Sequence, residues 1–176
     1  FDRRLAIIEK EMVALAVQLP SAGWVLTVRG FGMKTLAVII GESGDLNGYA
    51  NPGKLWKRLG LAPKDTYAMA DNGAHMVPRQ RRAQVWACLG DCLLKLNNGV
   101  YRAAYDRKKA EYLERAKTEP FWQYKGKPHL NHCHRAAHRY MEKMAIRDLW
   151  RAWRAANGKV QPDGELLPVN LLDAAE

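Results

Sequence analysis

Two glycines on either side of one phenylalanine, at positions 30–32, constrain this chain more than any other feature of its sequence. They lie between two short apolar segments with helical character, residues 24–28 and 36–40. Glycine lets the backbone turn tightly, and a helix that begins directly after such a turn exposes backbone N–H groups without partners. These groups, together with Lys34, favour an anion at the turn. The alternative interpretation is an ordinary glycine-containing turn between two packed helices.

The pattern resembles the helix-hairpin-helix motif, in which an apolar residue precedes Gly-apolar-Gly and a Lys-Thr pair opens the second helix. Val28 fills the first of these places, residues 30–32 the second, and Lys34 with Thr35 the third. The resemblance implies that the turn binds a nucleic-acid phosphate. The predicted contact residues are Arg29, Gly30, Phe31, Gly32, Met33, Lys34 and Thr35.

The chain carries a large excess of positive charge. Its 176 residues include 28 Lys and Arg against 18 Asp and Glu, for a formal net charge of +10. Residues 79–109 hold eight basic and two acidic residues, and residues 115–159 hold eleven and three. Such a surplus favours polyanionic partners and makes their binding depend on salt. A solvated helix face explains either run alone, but two such runs beside a phosphate-type turn indicate nucleic acid.

One predicted helix opens on a basic run directly after Pro78. Positive side chains at a helix N-terminus oppose the helix dipole, and a bound anion offsets that cost. We therefore predict further DNA contacts in this run and in the basic part of the following helix. They are Arg79, Arg81, Arg82, Arg107 and Lys108.

Apolar residues recur at helical spacing along most of the chain, which predicts an all-α fold built around the helix-hairpin-helix. Residues 1–19 form an N-terminal helix whose narrow apolar stripe is typical of the end of a coiled coil. Residues 20–156 form the helical DNA-binding domain, and residues 157–176 form a C-terminal tail.

Residues that start and stop helices divide the domain further. Asn51 predicts an N-cap, Pro52 a first helical position, and Gly60 the end of that helix. Helix signals then fail, and Asn72-Gly73 predicts a short β-hairpin within residues 66–77.

The last long helix is predicted over residues 129–156. Its Trp150 and Trp153 are interpreted as core residues. Arginines alternate with the apolar residues here, and Arg147, Arg151 and Arg154 are then expected to face solvent or a phosphate.

Three sequence blocks, residues 28–37, 41–45 and 59–63, are together similar to one protein family. It is the bacterial insertion-sequence transposase family that includes pilin-gene-inverting recombinases, and the similarity is to its C-terminal domain over residues 19–156. The resemblance implies DNA transposition or inversion by strand cutting and rejoining. It also implies a resolvase-like acidic N-terminal domain, a nucleophilic serine in the present domain and Mg²⁺ in the full-length enzyme. A homo-oligomer, a structured guide RNA of the element and a nucleoid-associated location when bound are further implications.

The serine that the resemblance implies is missing from its expected place. It would follow residues 60–63, yet residues 65–77 contain no serine, and their only hydroxyl side chains are Thr66 and Tyr67. The acidic domain does not form part of the sequence either. We therefore expect a DNA-binding part that is not catalytically complete alone, with catalytic residues unknown and no cofactor of its own.

Two alternatives stay open. The first is an RNA-binding module, in which aromatic side chains among basic residues stack on bases; these are Tyr101, Tyr105, Trp122 and Tyr124. The second is a zinc-stabilised interaction domain, because imidazoles and thiolates are zinc ligands. Its ligands would come from His129, His132, Cys133, His134, His138, Cys88 and Cys92. The spacing matches no known zinc finger and both Cys88 and Cys92 lie among core-type residues, so we expect buried thiols and assign no metal site.

The sequence gives no sign of a membrane partner. Its longest uncharged stretch, residues 12–28, is interrupted by Pro20 and is too short to span a bilayer. The charged residues from Asp2 onward do not fit a secretory signal. We expect a cytoplasmic bacterial protein.

Overall fold

Helices make up most of the structure, a computed structural model that describes residues 2–159. In chain order they are α1 (Asp2–Ala16), α2 (Ala22–Thr27), α3 (Met33–Ser43), α4 (Pro52–Arg58), α5 (Arg79–Val85), α6 (Asp91–Leu96), α7 (Val100–Arg115) and α8 (Leu130–Ala156). One turn of π-helix, Trp86–Gly90, joins α5 to α6 in a continuous rod. The predicted all-α fold is confirmed. Most of the predicted tail, from residue 160 onward, lies outside the described residues.

The predicted signals around α4 are confirmed in detail. The side chain of Asn51 accepts a hydrogen bond from the backbone N–H of Lys54 at 3.1 Å, and Pro52 is the first helical residue. Gly60 follows the helix with φ +77°, a conformation that favours glycine.

The segment predicted as a β-hairpin forms only one β-bridge, between Met69 and His75, around a turn at Gly73. A regular antiparallel hairpin lies elsewhere, between β1 (Gln123–Tyr124) and β2 (Lys127–Pro128). Both residues of its turn have positive φ, +51° at Lys125 and +72° at Gly126. The sequence did not predict this hairpin, because Lys-Gly is a weaker turn signal than Asn-Gly.

The centre of the fold is α8, which packs along α7. Trp150 is fully buried and donates a hydrogen bond from Nε1 to the carbonyl of Tyr49 at 3.1 Å. Trp153 Nε1 donates to the carboxylate of Asp45 at 2.9 Å. The interpretation of both tryptophans as core residues is confirmed.

The expectation that the arginines of this helix face solvent or a phosphate was wrong at Arg151, which is 5% exposed. The buried carboxylate of Asp148 accounts for the difference. It accepts hydrogen bonds from Arg147 at 2.8 Å and from the Tyr101 hydroxyl at 3.0 Å, and Arg151 lies 3.8 Å away. Burial, with the nearby Asp148 charge, raises the pKa of Tyr101. Three of the four predicted stacking residues, Tyr101, Tyr105 and Trp122, are buried.

The N-terminal helix α1 packs against α3 on one side only. Ala16 joins the core there, whereas Leu5, Ile8 and Leu15 remain about half exposed or more. The coiled-coil interpretation of this stripe stays a prediction.

Candidate nucleic-acid interface

The glycine-bounded bend between α2 and α3 is held by the end of the α5–α6 rod. Gly30 has φ +90°, and a Cβ added to it would lie 2.8 Å from the carbonyl oxygen of Cys92. The side chain of Asn97, just after α6, donates to the carbonyl of Arg29 at 2.9 Å. Only glycine fits this approach, so the bend and α6 form one rigid contact.

The bend opens towards solvent at the start of α3. Leu36 is the first residue whose N–H bonds to a carbonyl of the turn, that of Gly32. Within residues 2–159, the N–H groups of Gly32, Met33, Lys34 and Thr35 therefore have no acceptor. A pocket of about 600 Å³ lies beside the bend, between α3 and the rod, and is lined in part by Gly32, Lys34 and Thr35.

The seven predicted contact residues of the bend differ in exposure. Arg29, Gly32 and Lys34 are exposed, and Lys34 forms an ion pair with Glu9 of α1. Phe31 is buried and packs edge-to-face on Trp24. The remaining three are half-buried or buried: Gly30, Met33 and Thr35, whose hydroxyl donates to the Cys88 carbonyl.

A second surface has the stronger positive charge. We call it the basic groove: a cavity of about 570 Å³ lined by Lys64, Arg79, Arg82, Trp86 and Arg135. It continues into a cavity of about 270 Å³ beside residues 73–77.

Arg139 lies close to the basic groove on α8. Burial and the nearby charge of Arg82 lower the pKa of Arg139. Across residues 2–159, neither Arg139 nor any of the four basic residues lining the groove forms an ion pair with an acidic side chain. The basic groove thus concentrates positive charge that no acidic side chain of the described residues pairs with.

The other predicted contact residues lie away from this groove. Arg81 donates to the Glu42 carboxylate at 2.8 Å, on the α3 side of the rod. Lys108 forms an ion pair with Glu111, and this contact raises the pKa of Lys108. Arg107 is exposed on α7. Sequence reasoning missed Lys64, Arg135 and Arg139. The i, i+4 spacing of Arg135 and Arg139 on one helix face was the available signal.

A buried polar cluster lies behind the basic groove. His138 stacks on Trp86 with ring centroids 3.6 Å apart and an angle of 14°. Its ring nitrogens lie 3.4 Å from Glu142 and 3.6 Å from Asp91. Gly90, in the π turn, leaves the space that the His138 ring occupies. A π turn inside a helix often accompanies a functional site.

The pKa of Glu142 gives a testable pH dependence. Burial raises this pKa above its usual 4.5, against the opposing effects of His138, Arg139 and Arg82. The unfolded chain releases this proton more readily, so the carboxyl group destabilises the fold progressively as pH rises from 4.5 through the raised pKa.

We expect Glu142→Gln to match the wild type in thermal stability below pH 4.5 and to exceed it increasingly above that pH. Thermal melting of both proteins across a pH series measures the difference. A constant offset at all pH values would contradict the raised pKa.

No protein-family model, curated protein or solved structure matches the chain. A proposal for its binding partner therefore rests on the surfaces of the chain itself. No helix within residues 2–159 combines the length and apolar character needed to cross a membrane.

The hydroxyl groups considered as nucleophiles are engaged in local structure. Thr66 donates to the Pro63 carbonyl at 2.6 Å. Tyr67 is buried and donates to the Lys57 carbonyl at 3.1 Å, and burial raises its pKa. Ser43 donates to the Ile39 carbonyl. Within residues 2–159, each of these three hydroxyls donates to a backbone carbonyl and not to the basic side chain that activates a nucleophile.

The cysteines and histidines of the zinc alternative lie in different places. Cys88 and Cys92 line the pocket of the bend and are each only partly buried, although both were expected to be buried thiols. The widened π turn shifts the register of the helix here. Burial raises the pKa of Cys88 to about 11. Among residues 2–159, no three His, Cys, Asp or Glu side chains are arranged to hold a metal ion.

Proposed function

We propose that this chain is the DNA-binding part of a transposase or site-specific recombinase that acts in DNA transposition or inversion. The basic groove carries the proposal. Four cations line one concave surface and Arg139 adjoins it, with no ion-paired acid within the described residues. Clustered cations of like sign repel one another, and an anion that binds among them relieves this repulsion. A DNA backbone supplies a row of such anions.

The bend between α2 and α3 supports a second phosphate contact. The bend lines a pocket that Ala87 and Cys88 also line, while Ala83 and Trp86 of the same rod line the basic groove. A backbone that runs across the rod can therefore meet both surfaces. On this proposal the chain positions DNA, and strand cutting belongs to the acidic domain of the longer enzyme that the family resemblance implies.

Gly32→Asp tests the bend without disturbing the fold. A Cβ at Gly32 meets nothing within 4 Å, and aspartate is a favoured N-cap, so the variant should fold at least as stably as the wild type. Its carboxylate occupies the free N–H groups and repels phosphate. We expect roughly a tenfold loss of affinity for duplex DNA, measured by fluorescence anisotropy.

Gly32→Ala is the matched control, because it fills the same open space and leaves the N–H groups free. It should bind DNA as the wild type does. Equal affinity of the aspartate variant and the wild type would refute a phosphate contact at the bend. Competition with structured RNA completes the test, since preferential binding of RNA would favour the RNA-binding alternative.

A further inference from the structure

The β1–β2 hairpin and the segment before it carry exposed aromatic rings far from the bend in sequence. Phe121 is 70% exposed and Tyr124 is 62% exposed. Between them Trp122 is buried and stacks on Tyr112, with ring centroids 4.4 Å apart. The buried ring anchors the segment, so the two exposed rings are held in place.

Two histidines join these rings into one surface, which we call the aromatic pad: Phe121, Tyr124, His129 and His132. The centroid distances are 5.6 Å from Tyr124 to His129, 5.8 Å from His129 to His132 and 5.1 Å from His132 to Phe121. Burial, with the charge of His129, lowers the pKa of His132. The pad is a chain of neighbouring rings whose planes are inclined to one another by 37° to 86°.

Positive charge accompanies the aromatic pad. Lys125 and Lys127 are exposed at the tip of the hairpin, and neither pairs with an acid in the part of the chain that the structure describes. Lys125 lies over the Tyr124 ring at 5.5 Å. The nearby acid Glu119 is already held by Arg115 at 2.9 Å. Flat rings beside unpaired cations suit a ligand that is both planar and anionic, as an unpaired nucleotide is.

The pad and the basic groove lie on the same stretch of α8. His132, Arg135 and Arg139 follow one another at spacings of three and four residues, which places them on one helix face. The rise of an α-helix puts His132 about 10 Å from Arg139 along the axis. A strand that leaves the groove in this direction therefore reaches the pad.

We propose that the aromatic pad captures unpaired bases of the DNA strand that continues out of the basic groove, by stacking them on Phe121 and Tyr124. This inference rests on the proposed function, because it takes the occupant of the groove to be DNA. Stacking on aromatic side chains tolerates any base sequence.

The test compares three DNA ligands: a blunt duplex, the same duplex with a single-stranded adenine overhang, and the same duplex with an abasic overhang. We expect the adenine overhang to tighten binding by roughly tenfold over the blunt duplex, and the abasic overhang to give little gain. Phe121→Ala and Tyr124→Ala should each reduce the gain from the adenine overhang and leave blunt-duplex affinity unchanged. Both side chains are exposed, so these variants keep the fold.

Two further variants are controls. Leu15→Ala removes a side chain of similar exposure, 66%, from α1 and should leave the gain intact. Tyr124→Phe keeps the ring and should also keep the gain. An overhang gain that survives both alanine variants would overturn the pad proposal.

Two other results would also overturn it. One is tighter binding of an RNA overhang than of a DNA overhang. The other is a homodimer in sedimentation experiments that Phe121→Ala dissociates, because a second copy would then cover the pad. Failure of the proposed function can be told apart from failure of the pad proposal. If the proposed function is wrong, the wild type does not bind the blunt duplex. Binding of a free deoxyadenosine oligonucleotide still measures stacking on Phe121 and Tyr124.

Discussion

Replacing Arg79 and Arg82 together by glutamate is expected to weaken duplex DNA binding by at least about a hundredfold. Both side chains line the basic groove beside Lys64 and Arg135. A hydrogen bond to a charged group is worth about 1.5–3 kcal/mol, and the new carboxylates add repulsion to the loss of two such contacts. The slope of log affinity against log salt should also fall by about two. Anisotropy titrations at several salt concentrations measure both effects.

The control for this result reverses the same amount of charge elsewhere. Arg4 and Lys54 are exposed on α1 and α4, outside the groove and the bend. The double glutamate variant at these positions should lose only a few-fold in affinity, through the long-range field. If both double variants lost affinity equally, binding would depend on net charge and the groove would have no special role.

The second large effect concerns stability. Gly90→Ala is expected to lower the free energy of unfolding by about 3 kcal/mol or more. A Cβ at this position would lie 2.1 Å from the His138 ring and 2.5 Å from the Glu142 carboxylate, and both side chains are buried. The stack of His138 on Trp86 leaves the ring little room to retreat. Urea denaturation measures the loss, which should lower the melting temperature by roughly 6–12 °C.

Gly41→Ala is the matched comparison, because Gly41 lies in α3 and a Cβ there meets nothing within 4 Å. This variant should gain up to about 1 kcal/mol from helix propensity. Combining Gly90→Ala with His138→Ala should cost less than the sum of the single changes, since the second removes the ring that the first strikes. Similar stabilities for Gly90→Ala and Gly41→Ala would contradict the close packing in the π turn.

The parts of the fold that the sequence predicted depend on short-range chemistry. Asn51 caps α4 through its own side chain, and Gly60 ends that helix with a positive φ. Trp150 and Trp153 follow the apolar periodicity of α8 into the core. Each signal acts within a few residues of itself, so it can be read without knowing the tertiary structure.

The sequence could not predict the π turn, for a different reason. Residues 86–90 carry a helical pattern, and the extra residue in the turn becomes apparent only through packing against His138. The partial exposure of Cys88 and Cys92 was missed for the same reason. Helical periodicity assumes one residue spacing throughout, and one widened turn changes the register of everything after it.

The candidate site was predicted only in part, because a charge count does not show which cations are already neutralised. Arg81 and Lys34 belong to the predicted set, yet each pairs with an acid, Glu42 and Glu9. The basic groove instead draws on residues as far apart in the sequence as Lys64 and Arg135. Only tertiary packing brings these side chains together.

The rod that begins at Arg79 and ends at Leu96 holds the bend and the basic groove at a fixed distance from each other. The bend contacts the far end of the rod at Cys92 and Asn97. The groove arginines, Arg79 and Arg82, lie near the start of the rod. The rod is helical throughout residues 79–96, with no loop to change the distance between the two surfaces. A duplex whose phosphates do not match this fixed distance has to bend or twist to reach both surfaces. The stiffness of its sequence therefore contributes to the choice of DNA site without any contact to a base.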